Sequence, residues 1–115
     1  MEKSIQVSGG RPLVGTIRVP GAKNDVLKEM VACLLAPGNY KLTNAPDIQD
    51  VHYMSEVLSH LGLEISFIDK ELSIKTPDSL EIEAPYNLVK KMRASIIILG
   101  PLLAREGNVR IAFPG

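Results

Sequence analysis

The chain has 115 residues, 45% apolar and 23% charged, with 13 Lys plus Arg balanced by 13 Asp plus Glu; this describes an ordinary globular sequence with room for one core and not two. Zero net charge, 4% aromatics and no tryptophan argue against a nucleic-acid surface, which needs a basic excess and stacking platforms. One cysteine, Cys33, excludes an internal disulfide and a cysteine-based zinc cluster, no apolar run reaches the ~20 residues that span a bilayer, and Met1-Glu2-Lys3-Ser4 has no signal pattern, so the simplest compartment is the cytoplasm.

Ile5 to Val7 and Thr16 to Val19 read as two short strands around the turn chemistry of Ser8-Gly9-Gly10-Arg11-Pro12. A helix is predicted from about Lys23 to Ala36. Val26, Met30 and Leu34 recur every four residues beside Leu27, Val31 and Leu35, and Pro37-Gly38 ends the run. Tyr40 to Thr43 reads as a strand. Val51, Met54, Leu58 and Leu61 mark a second helix, with Asp47 or Asp50 as candidate caps and Gly62 at its end. Glu64 to Ile68 and Leu72 to Lys75 look like a hairpin, and Leu80 to Glu83 like a strand. A third helix is predicted from about Leu88 to Ala104, apolar on every face from Ile96 to Leu99 and so deeply buried, with a bend or a loosened turn at Gly100-Pro101. Val109 to Phe113 is the last predicted strand.

The sequence repeats itself in order. At an offset of 68, Lys23 maps onto Lys91 and Leu34-Leu35-Ala36 onto Leu102-Leu103-Ala104. One residue later in register, Gly38-Asn39 matches Gly107-Asn108 and Tyr40-Lys41-Leu42 matches Val109-Arg110-Ile111. Before the helices, Ile17-Arg18-Val19-Pro20 resembles Ile82-Glu83-Ala84-Pro85 at an offset of 65. Repeated units pack on one another to share a core. The second copy stops at its last strand, which points to a piece of something longer.

Two clusters invite chemistry. Gly21-Ala22-Lys23-Asn24-Asp25 lies where a helix begins, and the backbone N–H groups and dipole there favour an anion. Lys23 and Asn24 would add charge and hydrogen bonds for a phosphate or carboxylate; equally, Lys23 reads as a solvated lysine and Asn24 as a cap. It is not a Walker loop. Lys90-Lys91-Met92-Arg93-Ala94-Ser95 stands at the matching place in the second copy. Arg93 offers a planar fork for phosphate or carboxylate, and the plainer alternative is a solvated helix start with snorkelling stems. Two basic helix starts that converge would make an anion pocket. Cys33 reads as a small core residue. His52 and His60, eight apart on one helix, are roughly 12 Å apart along it, too far to share a metal. No nucleophile–base pair is apparent.

Val19-Pro20-Gly21-Ala22-Lys23-Asn24 resembles the first signature of the enolpyruvyl transferases. The run Ala84-Pro85-Tyr86-Asn87-Leu88-Val89-Lys90-Lys91-Met92-Arg93-Ala94-Ser95, continued by Gly100-Pro101-Leu102-Leu103-Ala104-Arg105, resembles the second. The likeness covers nearly the whole chain and is to the branch that works on a nucleotide sugar, not to the shikimate-pathway branch, which lacks the Ala-Lys-Asn form. It implies an α/β fold, an inside-out α/β barrel of repeated strand–helix units with helices inside and sheets outside. Residues 1–20 would belong with a second domain, and 21–115 would be an incomplete first domain.

The resemblance also implies a reaction. The enolpyruvyl group of phosphoenolpyruvate moves to the 3'-hydroxyl of UDP-N-acetylglucosamine and phosphate leaves, in the first committed step of peptidoglycan synthesis. Lys23 and Asn24 match substrate-binding residues of the family, and Arg93 an arginine of the same site. No cofactor or metal is implied, nor a nucleic-acid or membrane partner; the rest of the chain's own length is needed. The family's catalytic acid, Cys or Asp, would follow Phe113-Pro114-Gly115, so none lies within these residues and the 115-residue chain is expected to be inactive alone. Ile97 departs from an aromatic residue found in some members. The alternatives are a non-catalytic anion-binding module and a structural remnant on the same scaffold.

Overall fold

The computed structural model describes residues 3–112. Helix α1 (Lys23–Ala32) tightens into a 3-10 turn (Cys33–Leu35) and leads to strand β1 (Gly38–Leu42). Helix α2 (Gln49–His60), strand β2 (Glu64–Ile68) and strand β3 (Glu71–Thr76) follow. The chain then makes β4 (Glu83–Ala84), the short α3 (Tyr86–Val89), a 3-10 stretch (Arg93–Ile98), α4 (Leu99–Glu106) and β5 (Arg110–Ile111).

One sheet has the order β1-β3-β2, with β3 antiparallel to both neighbours, so β1 and β2 run parallel and are joined through α2. Register places Leu42, Leu72 and Phe67 in one row and Tyr40, Ile74 and Ile65 in another. These alternate residues face the helices, while Asn39, Lys41, Ser73 and Ser66 face outward. The hairpin turn at Asp69-Lys70 has φ of 51° and 63°, the left-handed pair that matches the twist of a two-residue hairpin. Strands β4 and β5 form a separate parallel pair across α3 and α4.

The core is continuous through both copies of the repeat. Met30, Leu34, Met54, Leu58, Leu61, Leu72, Ile74, Ile98 and Leu102 are all fully buried in it. Each such side chain contributes about 1.5–3 kcal/mol by leaving water. Helix α2 ends as its glycine predicts. Gly62, with φ 117°, lets its own N–H reach the Ser59 carbonyl and the Leu63 N–H reach that of Leu58, which satisfies carbonyls the helix leaves open.

Five expectations need correction. No strand forms between residues 3 and 20, where Ile5, Val7, Leu13, Val14, Ile17 and Val19 are 76–98% exposed; two strands this short have no stability without a face to bury, and no described element covers them. Asp47 and Asp50 do not cap α2: its N-cap is Ile48, with no side-chain cap, because Asp47 accepts from His52 Nε2 at 2.6 Å and Asp50 is taken by Lys23. The third helix is not continuous. It breaks at Met92, whose φ of −153° and ψ of 115° are extended, and not at Gly100-Pro101; Pro101 sits in the first turn of α4, where its missing N–H costs nothing. The segment Ile96 to Leu99 is not buried all round: Ile98 is, but Ile96 and Ile97 are half-buried and Leu99 is 37% exposed. Finally, the last predicted strand is confined to Arg110–Ile111, and Phe113 lies outside the described residues. No helix among the described residues is long and apolar enough to cross a membrane.

Candidate functional site

The start of α1 is placed by a crossing of two segments. Asn44 adopts φ 54° and its side-chain amide donates to the Val19 carbonyl at 3.5 Å. Gly21 passes so close above it that a Cβ there would run into the Asn44 carbonyl oxygen. Next along the chain, the Ala45 N–H donates to the Lys70 carbonyl at the hairpin tip, 2.8 Å away. Backbone sterics at Gly21 thus seat the helix start against the sheet. A depression of about 160 Å³ lies beside it, lined by Gly21, Asp25, Glu29, Thr43, Asn44 and Pro46 among others.

Ala22 is the extended N-cap of α1, without a side-chain cap, so the first-turn N–H groups are open to solvent or ligand. Lys23 and Asn24 are exposed there. Lys23 Nζ lies 3.3 Å from Asp50 Oδ2, and the Asp50 side chain, in the first turn of α2, is only 31% exposed. The starts of α1 and α2 therefore lie side by side.

The second cluster straddles the break after α3. Lys91 Nζ pairs with Glu56 Oε2 at 3.0 Å and stands 5.9 Å from the Tyr53 ring centre. Lys90 Nζ stands 5.8 Å over Tyr86. Arg93 opens the 3-10 stretch, exposed and with no ion pair among the described residues. Asp50 and Glu56 are six residues apart on α2, hence ~9 Å along its axis and ~120° around it. Both lysines thus lean on α2 but on separate sides of it. The 3-10 stretch packs against α1, so Arg93 is on an element that neighbours the Lys23 helix, while no described hydrogen bond or ion pair joins Lys23, Asn24 and Arg93 to one another.

Two residues escape a sequence reading. Asp50 is visible there only as a possible cap. Arg105, 10% exposed in its side chain, donates from Nη1 to the Leu34 carbonyl at 3.0 Å and from Nη2 to the carbonyls of Pro77 and Asp78. It ties α4 to the end of the first 3-10 turn and to the loop after β3. Its neighbour Glu106 accepts the Leu80 N–H at 3.2 Å.

The other titratable candidates are structural. Cys33 is buried, its thiol donating to the Glu29 carbonyl at 3.4 Å and its own carbonyl accepting from Thr76 Oγ1 at 2.8 Å. Burial, aided by the Glu29 charge, pushes the thiol above its ordinary range, away from the reactive thiolate. His52 is held by Asp47 and meets Phe67 edge-on. Among the described residues no group of three or more His, Cys, Asp or Glu is placed to hold a metal ion. The larger depression, about 460 Å³, lies on the three-stranded sheet between Asn39, Lys41, Glu64, Ser66, Ser73 and Lys75, and none of the candidate residues lines it.

The profile of the family EPSP synthase (3-phosphoshikimate 1-carboxyvinyltransferase) matches residues 7–115. The UDP-N-acetylglucosamine 1-carboxyvinyltransferase of Corynebacterium jeikeium (strain K411) is 50% identical over 115 residues, 100% of this chain and 28% of its own length. The protein of the same name from Chlorobaculum parvum (strain DSM 263 / NCIMB 8327) is 46% identical over 110 residues, 95% of this chain and 26% of its own. Among solved structures, the enolpyruvyl transferase NikO from Streptomyces tendae superposes with a TM-score of 0.73 at 24% identity, over 86% of this chain and 23% of that one. The chain thus spans little more than a quarter of the length of these curated relatives.

Proposed function

This chain belongs to the EPSP synthase (3-phosphoshikimate 1-carboxyvinyltransferase) family, and from that premise we propose that it is part of a longer enzyme that moves the enolpyruvyl group of phosphoenolpyruvate to the 3'-hydroxyl of UDP-N-acetylglucosamine and releases phosphate. Its fold is part of the inside-out α/β architecture of the enolpyruvyl transferases. The observation that carries the choice of acceptor is the 50% identity, over the whole chain, to a relative named for that nucleotide sugar. The reaction would serve peptidoglycan synthesis in the cytoplasm.

The chemistry is addition of the sugar hydroxyl to the phosphate-bearing enol carbon, its proton passing to a base while an acid protonates the methylene carbon, followed by elimination from the tetrahedral ketal, in which phosphate leaves and the new methyl group gives up a proton to restore the double bond. It needs fixed positive charge against the phosphate and carboxylate and a proton donor and acceptor. Lys23, at an uncapped helix start, and Arg93, without a carboxylate partner among the described residues, are suited to the first task. Asn24 adds an amide donor and acceptor beside Lys23. The acid and base are assigned to the rest of the enzyme. Residues 1–20 are assigned to its second domain and 21–115 to the first. The exposed row Ile5, Val7, Leu13, Val14, Ile17 and Val19 supports that division, since a stripe of this kind belongs under a partner surface.

The test is phosphate release by the full-length enzyme. Turnover should require phosphoenolpyruvate together with UDP-N-acetylglucosamine. Lys23→Ala and Arg93→Ala should each lower kcat/KM by about 100-fold, as removal of one stabilising donor does. The 115-residue chain alone should release none. Turnover with a phosphorylated shikimate in place of the nucleotide sugar would sink the proposed acceptor, and an undiminished Lys23→Ala enzyme would sink the proposed site.

A further inference from the structure

We infer that Asp50 is a positioning residue for Lys23: its carboxylate holds the lysine ammonium over the start of α1, where the anionic substrate is to be met. The inference rests on the reading of Lys23 as a substrate-binding residue and goes beyond it by naming what places that lysine.

A lysine in the first turn of a helix is badly placed by itself. The dipole presents partial positive charge there, and the four-carbon stem has many rotamers whose freedom opposes any one placement. Left alone, Lys23 would swing outward into water. Three features of the structure hold it instead. The start of α2 lies alongside that of α1, with Asp50 Oδ2 3.3 Å from Lys23 Nζ. The Asp50 side chain is more buried than that of Lys23, 31% against 54% exposed, so the carboxylate is the fixed member and the ammonium the guided one. And Asp50 is not occupied elsewhere: it makes no cap to α2, whose N-cap is Ile48, and Asp47, the other acid of that turn, is bound to His52. A carboxylate in the first turn of α2 is itself favoured by that helix's dipole. The ammonium has three donors, so Asp50 can keep one while the others face an incoming phosphate or carboxylate. The matching lysine of the second copy, Lys91, is instead held by Glu56 on another side of α2, so the pairing with Asp50 is particular to Lys23.

The test uses the full-length enzyme with Asp50→Asn, which keeps the shape and removes the charge, and Asp50→Glu, which keeps the charge one methylene further out. Asp50→Asn should raise KM for phosphoenolpyruvate about two- to fivefold, the scale of a partly exposed ion pair, with kcat within about twofold. Asp50→Glu should recover most of the loss. Independently of turnover, acylation of Lys23 by a water-soluble succinimidyl ester, located by peptide mass spectrometry, should speed up severalfold in Asp50→Asn and not in Asp50→Glu. Equal losses in kcat and kcat/KM in both variants, or Lys23 acylation unchanged in Asp50→Asn, would overturn the inference. An undiminished Lys23→Ala enzyme would overturn it too. In that case Lys23 acylation would still respond to Asp50→Asn, and the fault would lie with the site and not with the pairing.

Discussion

Leu34 in the first copy of the repeat and Leu102 in the second are both fully buried, while the residues after them, Leu35 and Leu103, are 54% and 47% exposed. The helices that carry them take different paths. In the first copy Pro20 precedes Lys23 by three residues, and α1 runs unbroken from that lysine. In the second, Pro85 precedes Lys91 by six. The extra residues fold as the separate turn α3, and the helix equivalent to α1 restarts only at Arg93, as a 3-10 stretch. The insertion is absorbed where the helix begins, so the buried leucine stays in place. Core packing tolerates a change of path far better than a shift of the side chain that fills the core.

The largest test of this equivalence is to empty the two matched positions. Leu34→Ala and Leu102→Ala should each cost about 3 kcal/mol by urea denaturation of the protein that carries this chain; a cost below about 1 kcal/mol at one of them would show that the copies do not share their core equally. Next is the tie between the copies. Arg105→Ala leaves the carbonyls of Leu34, Pro77 and Asp78 without their charged donor and should cost about 2–3 kcal/mol. Arg105→Lys should restore only part, since an ammonium lacks the fork that reaches several carbonyls at once.

A smaller effect concerns the break itself. Ser95, fully buried, donates to the Met92 carbonyl at 2.7 Å; its counterpart in the first copy is Leu27, within continuous helix. Ser95→Ala should cost about 1 kcal/mol, and protection of the Ser95 amide in hydrogen exchange should fall with it. If neither changes, the break is held by something other than this hydroxyl. The smallest effect is at Cys33. Its thiol is raised by burial and by Glu29 from an ordinary value of 9.0, so the folded state holds the proton more tightly than the unfolded one. That contribution is fully present below the ordinary thiol range and is lost as pH rises through and beyond it. Relative to wild type, Cys33→Ala should lose less stability between neutral pH and about pH 10, and Cys33 should resist iodoacetamide at neutral pH unless the protein is unfolded.

Much of this was legible from residue order. The period of Val26, Met30 and Leu34 placed α1, and that of Val51, Met54 and Leu58 placed α2, because a helix repeats its buried face every three to four residues. Alternation in 64–76 placed the hairpin. The run Leu88 to Ala104 hides its break because Met92 stands among Lys90, Lys91 and Arg93, good helix formers with no glycine or proline among them to mark a stop. The pairs Ile5 to Val7 and Thr16 to Val19 have strand composition, but strands exist only where another strand and a buried face receive them.

At the candidate site, residue order sets the types of residue: a lysine and an asparagine after Gly21-Ala22 and an arginine two positions after a pair of lysines, placed near helix starts by glycine, proline and apolar period. Their neighbours come from the packing of the folded chain. That Lys23 faces Asp50, that Lys91 faces Glu56, and that Arg105 gathers three carbonyls follow from how whole helices lie against one another. The reason is physical: backbone preference and periodicity act over a few residues, whereas a charge finds its partner through space, at distances set by the packing of a shared core.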